Sequence, residues 1–350
     1  MTHGYQRPAA TAGGLRLHLN ENTAGCSPRV VEALRSLTPE QLACYPDYDA
    51  VIRETAQHLG VTEASMLLVN GLDEGILMAA VLAMRGRPEG GPRPEAIVVQ
   101  PAFDMYAISA GACGLAVVNV APRRDFTFPV EATRAAMTPA TRLVYITSPN
   151  NPTGVRIGNA DIRAIAKAAS PGALVFVDEA YHDFCGDSFA GELHAAPNVV
   201  VGRTFAKAHG LAALRAGALL GRPDTLEPFR AVTPPYSLNV CAAAGLRAAL
   251  ADREHLTWYV GQVQDSRRMV YDFCRRYGFE YWESGANFVL FRVGRQAPAL
   301  VADLQRQGIY VRDKSGDPGC QGCVRITTGI VAHTSRALEA MEAFLASRPH

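Results

Sequence analysis

The stretch ALVFVDEAY, Ala173 to Tyr181, decides the fold. Leu174-Val175-Phe176-Val177 is a continuous apolar run with no polar alternation, as expected of a strand covered on both faces. The run ends on Asp178. A carboxylate at the end of a buried strand is costly unless paired. Asp178 therefore meets a cation, or a ring nitrogen that it keeps protonated, unless it merely caps a helix or joins a structural ion pair.

Working outward, similar β-rich runs recur: MLLV (66–69), AIVVQ (96–100), LAVVNV (115–120), RLVYIT (142–147) and NVVVG (198–202). Helical patterns separate some of them, LDEGILMAAVLAM (72–84) and NADIRAIAKAA (159–169). The alternation predicts an α/β fold with a mostly parallel central sheet and helices on both faces. Two early helices are announced by a capping side chain followed by proline, Ser27-Pro28 and Thr38-Pro39. The tail carries a long helical pattern (255–278), then NFVLFRV, APALVADLQRQG, CVRITTG and TSRALEAMEAFLAS, which read as a smaller α+β domain. A chain of 350 residues accommodates roughly two domains.

Composition excludes some classes of function. A net charge of +1 gives no reason to expect nucleic acid or an anionic membrane as a partner. No apolar run approaches the roughly 20 residues of a membrane span, and the start lacks an apolar signal-peptide core, so a cytoplasmic protein is expected. The eight cysteines have no disulfide-framework spacing. Cys320 and Cys323 form a lone C-x-x-C without a second ligand pair, so no metal is expected.

Lysine is scarce. Of 34 Lys and Arg residues only Lys167, Lys207 and Lys314 are lysine. Lys207 lies among small residues in RTFAKAHGLAALR (203–215). An amine condenses with an aldehyde and a guanidinium does not usefully do so. Arg215, eight residues on, is a fixed cation suited to phosphate. VNGLDEGI (69–76) ends a strand at a glycine turn and opens a helix, whose free N–H groups suit a phosphate. SPNNPTG (148–154) brings Asn150 and Asn151 to the carboxyl end of another strand, where open α/β sheets bind ligands. Each signal is modest alone; together they fall at successive strand ends of one sheet.

In that order the chain resembles the fold-type I pyridoxal-phosphate aminotransferases, and among them the histidinol-phosphate aminotransferases. The likeness spans LNENTAG (19–25), YPD (45–47), GLDEGI (71–76), PAFDMY (101–106), SPNNPTG, DEAYHDF (178–184), RTFAKAHGLAALR, PPYSLN (234–239), SGANFVL (284–290), GIYVRD (308–313) and GCVRITTG (322–329). It implies pyridoxal phosphate linked to Lys207 and its ring nitrogen held by Asp178. Asn151 and Tyr181 would bind the phenolic oxygen and Phe103 would stack on the ring. Leu72, Asp73, Thr204 and Arg215 would hold the phosphate, with Tyr45 reaching in from a second subunit of a homodimer. Arg325 would grip a substrate carboxylate. Arg312 and Arg325 together would hold a substrate phosphate, Tyr5 would fold over the substrate, and Asn22 would join the substrate-binding group. The implied domains are an arm with part of the small domain (1–40), a large cofactor domain (41–252) and a small C-terminal domain (253–350). The implied reaction is transamination from histidinol phosphate to a 2-oxo acid such as 2-oxoglutarate.

The sequence departs from the family's usual pattern at Ala206, where serine is common, and at Thr23, Ala24 and His209. These positions are expected to ring the substrate site. Rival reactions on the same fold are decarboxylation of threonine phosphate, transamination of aromatic or other amino acids, and an oxidase or lyase reaction. A non-catalytic pyridoxal-phosphate sensor is a distant alternative, since no basic helix-turn-helix precedes the first motif.

Overall fold

A buried strand needs hydrogen-bond partners for its backbone, and the apolar runs between residues 66 and 202 find theirs in one large sheet. The computed structural model describes residues 13–85 and 91–347. A short strand, β1 (Leu15–Arg16), lies apart from this sheet. The sheet holds β2 (Met66–Asn70), β3 (Glu95–Val99), β4 (Ala116–Val120), β5 (Thr141–Thr147), β6 (Leu174–Asp178), β7 (Val199–Thr204) and β8 (Ala216–Leu220). Their spatial order is β2-β8-β7-β6-β5-β3-β4. All pair in parallel except β8, which runs antiparallel between β2 and β7. The mostly parallel sheet is thus present, with one strand that the sequence pattern did not announce.

Alternate residues of one strand enter different cores. Val175, Val177, Val144 and Ile146 pack in one cluster, while Phe176, Leu143 and Tyr145 pack in another across the sheet. Both faces are therefore apolar, which is why the strands read as unbroken hydrophobic runs. The helices Leu72–Met84 and Met105–Ala112 contribute Ile76, Ala79, Tyr106 and Ala110 to the second cluster. Asp178 shares the parity of Phe176 along β6, so its side chain turns toward these two helices.

A separate antiparallel sheet, in the order β12-β13-β10-β9, contains β9 (Glu280–Tyr281), β10 (Phe288–Arg292), β12 (Arg312–Asp313) and β13 (Cys323–Thr327). Between β10 and β12 in the chain, β11 (Ile309–Tyr310) pairs in parallel with β1. A third core joins Phe291, Val324, Leu300 and Met341 with Leu15 and Leu17. The arm is divided: Leu15 and Leu17 belong here, whereas Val30 of the helix Pro28–Arg35 packs into the large-sheet core.

Candidate active site

Parallel strands deliver their carboxyl ends to one edge, and the site is built there. Asn70 ends β2, Thr147 ends β5, Asp178 ends β6 and Thr204 ends β7. Because β8 is antiparallel, its amino end arrives at the same edge and brings Arg215 with it. Register keeps the groups level: Thr147 lies opposite Asp178, and Thr204 opposite Gly217.

A cavity of about 220 Å³ opens at this edge. Leu72, Asp73, Phe103, Asn151, Asp178, Tyr181, Thr204, Lys207, Arg215, Arg312 and Arg325 all line it. Residues scattered over more than 250 positions of sequence are thus brought together.

The anionic side of the cavity is Asp178, 4% exposed. Its Oδ2 accepts from the Tyr106 hydroxyl at 2.7 Å and its Oδ1 from the Ala180 N–H at 2.9 Å. Burial pushes its carboxyl up to about 6, against the lowering effect of those two donors. Lys207 lies across the cavity, with Nζ 3.4 Å from the Leu19 carbonyl oxygen and 5.8 Å from the Tyr181 ring centre. Burial brings its ammonium down to about 8, helped by the positive charge of Arg325.

The helix Leu72–Met84 opens at this point, and its first N–H groups have no intrahelical acceptor. Gly71 precedes it with φ 71°. A Cβ there would lie 2.4 Å from a terminal nitrogen of Arg215, so glycine lets the guanidinium cross the helix end. Arg215 holds Asp73 at 2.9 Å and adopts φ 59°, a left-handed backbone uncommon outside glycine. Thr204 spends its hydroxyl oxygen on the Ala206 N–H at 3.2 Å. Helix end, glycine and arginine form a cradle suited to a phosphate.

On the far wall Arg312 and Arg325 lie directly opposite each other across the β12–β13 ladder. Like charges so placed repel. Arg325 donates to Asn151 Oδ1 and to the His18 carbonyl oxygen. Lys314 lines the same wall and pairs with Asp317 at 2.5 Å.

Other expectations fare differently. Asn22 does not line the cavity; its Nδ2 donates to the Ala208 carbonyl at 2.9 Å and its Oδ1 accepts from the Ala24 N–H at 2.9 Å. Its polar groups are committed to backbone, so it shapes the chain entering the site. Thr23, Ala24 and His209 also lie off the cavity. Thr23 Oγ1 accepts from the Ile330 N–H, Ala24 joins a small core cluster, and His209 is buried against Phe205 and His58. Of the four departures only Ala206 lines the cavity. Tyr45 is 78% exposed, stacked on Tyr236 at 4.1 Å and outside this chain's own cavity. Tyr5 lies outside the described residues.

Sequence reasoning passed over Tyr106, Asn20, His18 and Lys314. Asn20 has φ 56° and donates to the Tyr181 hydroxyl at 3.0 Å. Tyr106 sat in a quoted motif, PAFDMY, but its hydrogen bond to a residue 72 positions away left no local signal. Lys314 carried the one available clue, the scarcity of lysine.

The sequence profile of the family described as aminotransferase class I and II matches residues 12–341. A histidinol-phosphate aminotransferase of Symbiobacterium thermophilum is 34% identical over 335 residues, covering 95% of this chain and 90% of that protein. The crystal structure of histidinol-phosphate aminotransferase from Sinorhizobium meliloti in complex with pyridoxal-5'-phosphate superposes with a TM-score of 0.83 at 25% identity, covering 94% of this chain and 91% of that one. L-threonine-O-3-phosphate decarboxylase from Porphyromonas gingivalis shares the fold, with a TM-score of 0.77 at 21% identity over 94% of this chain and 99% of that one.

Proposed function

The chain belongs to the class I and II aminotransferases, and from that membership we propose that it moves an amino group from histidinol phosphate to a 2-oxo acid such as 2-oxoglutarate. It is a pyridoxal-phosphate-dependent aminotransferase. The observation that carries the choice of donor is the cross-strand pair Arg312 and Arg325, two guanidiniums on one wall of the Lys207 cavity. Two such groups suit a phosphate dianion better than a single carboxylate. Histidinol phosphate has no carboxylate, so the pair meets phosphate in one half-reaction and the acceptor's carboxylate in the other.

Pyridoxal phosphate, when bound, supplies an aldehyde for the amino group and a pyridine ring that absorbs the electrons left at Cα. The roles proposed for this chain's residues are those the family resemblance implies, and the shared cavity lining supports them. Lys207 is the residue to which the cofactor attaches. Freed from that linkage, its amine would be the group that takes up and returns the Cα proton, and burial in this cavity favours its neutral form. Asp178 holds the proton on the ring nitrogen. Asn151 and Tyr181 hold the phenolic oxygen, and Phe103 covers one face of the ring. The backbone of Leu72 and Asp73, with Thr204 and Arg215, holds the phosphate.

The homodimer belongs to the same reading: Tyr45 of the partner subunit completes the phosphate site, which accounts for two exposed, stacked tyrosines on the surface of each chain. So do a cofactor domain over 41–252 and a small domain over 253–350 with part of 1–40. A cytoplasmic location belongs to the same reading. Among the described residues no helix is long and apolar enough to cross a membrane.

A single-turnover screen tests the donor. The cofactor-loaded enzyme is mixed with histidinol phosphate and with the common amino acids, and the visible band is followed. Rapid bleaching by histidinol phosphate is expected. Reaction with aromatic amino acids and none with histidinol phosphate would sink the donor assignment and leave the class intact. Release of CO₂ from threonine phosphate, with no keto product, would favour the decarboxylase reading instead.

A further inference from the structure

Tyr106 is a fully buried tyrosine that the mechanism above does not use. Its hydroxyl donates to Asp178 Oδ2 at 2.7 Å and accepts from Thr147 Oγ1 at 2.8 Å. Thr147 and Asp178 are register neighbours on β5 and β6, so the three groups form a short chain across adjacent strand ends. The Tyr106 ring is fixed as well, stacked on Tyr145 at 4.8 Å and meeting Phe103 edge-on at 5.8 Å. Phe103 and Asp178 are the two groups read as facing the cofactor ring and its nitrogen. Tyr106 touches both.

We propose that Tyr106 is a positioning residue: its phenol, anchored by Thr147, fixes the orientation of Asp178 and favours the charged carboxylate that the cofactor's ring nitrogen requires. The inference rests on the cofactor reading of Asp178. A buried tyrosine needs one hydrogen-bond partner, and the Thr147 hydroxyl alone would meet that need. Pointing the donor at a buried carboxylate adds a function. A donated hydrogen bond stabilises the ionised form, and burial opposes it. The other titratable groups acting on Asp178 are Asp73, from the helix Leu72–Met84, and Lys207, from the loop after β7. Asp73 favours the protonated acid and Lys207 the carboxylate. Tyr181 acts on Tyr106 from the segment after β6.

The test is the pH dependence of pyridoxal-phosphate binding to apoenzyme, followed by absorbance without substrate. Wild type, Tyr106→Phe, Thr147→Val and Asp178→Asn are compared, each with its thermal midpoint. Affinity should fall on the acid side in two limbs, an upper one as Lys207 is protonated and a lower, diagnostic limb as Asp178 takes up its proton, and Asp178→Asn should abolish the diagnostic limb. Tyr106→Phe keeps the ring stack and removes the donor. Its diagnostic limb should move up by about one pH unit, a loss of about tenfold in affinity at the acid end and little loss at pH 8. With substrate, kcat should fall at unchanged KM. Thr147→Val should move the limb the same way by less.

An unmoved limb in Tyr106→Phe would reduce Tyr106 to a packing residue and overturn the proposal. If Tyr106→Phe fails to fold, Thr147→Val carries the test, and an unmoved limb there overturns it equally. A diagnostic lower limb that persists in Asp178→Asn would instead remove the cofactor reading of Asp178 on which the proposal stands.

Discussion

At the scale of single residues, the site depends on what burial does to an amine. Lys207 is buried and shares its cavity with Arg325 and Arg215, so its ammonium is held near 8. An arginine there would stay charged at every accessible pH. The same shift predicts a stability effect in apoenzyme. The folded-state value lies below the unfolded one, near 10.5, so between them the unfolded chain binds more protons. The cost of burying the charge is therefore present below pH 8 and relieved as pH rises toward 10.5. Lys207→Met should be more stable than wild type at pH 7, by on the order of 3 kcal/mol, with the gap closing by pH 10.5. Urea denaturation at the two pH values checks the sign. The variant should also fail to form the lysine-linked visible band. A stability gap that does not depend on pH would show that the amine is not desolvated.

At the scale of elements, the informative unit is the β12–β13 pair. Arg312 and Arg325 are thirteen apart in sequence, yet the ladder sets them face to face, because the loop between them returns the chain antiparallel. Two like charges in that relation destabilise the empty sheet. Arg312→Gln should accordingly stabilise the apoenzyme slightly, by about 0.2–1 kcal/mol. It should raise KM for a phosphorylated donor by about tenfold or more, since a charge-assisted bond to phosphate is lost. Thermal melts and steady-state kinetics on the same preparation measure both. A variant that loses stability and keeps its KM would make the pair structural.

Elements also mark how far the sequence could be read. Ser27 accepts from the Arg29 N–H at 3.1 Å, and Thr38 with Gln41 forms a full capping box, as the capping residues predicted. Capping is local chemistry and is legible locally. β8, Ala216–Leu220, went unread. It is short, contains a glycine and follows Arg215 without a turn cluster, and its strand character comes from pairing with β2 and β7. Asn22 lies off the cavity for a related reason: a motif position says which segment comes near the site, not which way each polar group turns.

At the scale of the whole molecule, the large sheet collects strand ends while the second sheet supplies the opposite wall. The exposed pair Tyr45 and Tyr236 lies outside both. If the partner subunit covers it, Tyr45→Phe should keep the stack and the dimer while lowering pyridoxal-phosphate affinity about fivefold, the value of one hydrogen bond of about 1 kcal/mol. Size-exclusion chromatography with light scattering, alongside cofactor titration, reads both quantities. An unchanged affinity would take Tyr45 out of the phosphate site.

The sequence by itself determined the strands of the large sheet other than β8, the two-sided burial of that sheet and one lysine as the candidate reactive amine. Each is written in local patterning, capping or the chemistry of one side chain. Tertiary structure alone decided that β8 runs antiparallel and brings Arg215 to the cavity edge. It also decided that Arg312 opposes Arg325, that Tyr106 meets Asp178, and that His209 faces a core and not the cavity. These are contacts between residues far apart in the chain, and their energies depend on register and side-chain direction, which no local stretch encodes.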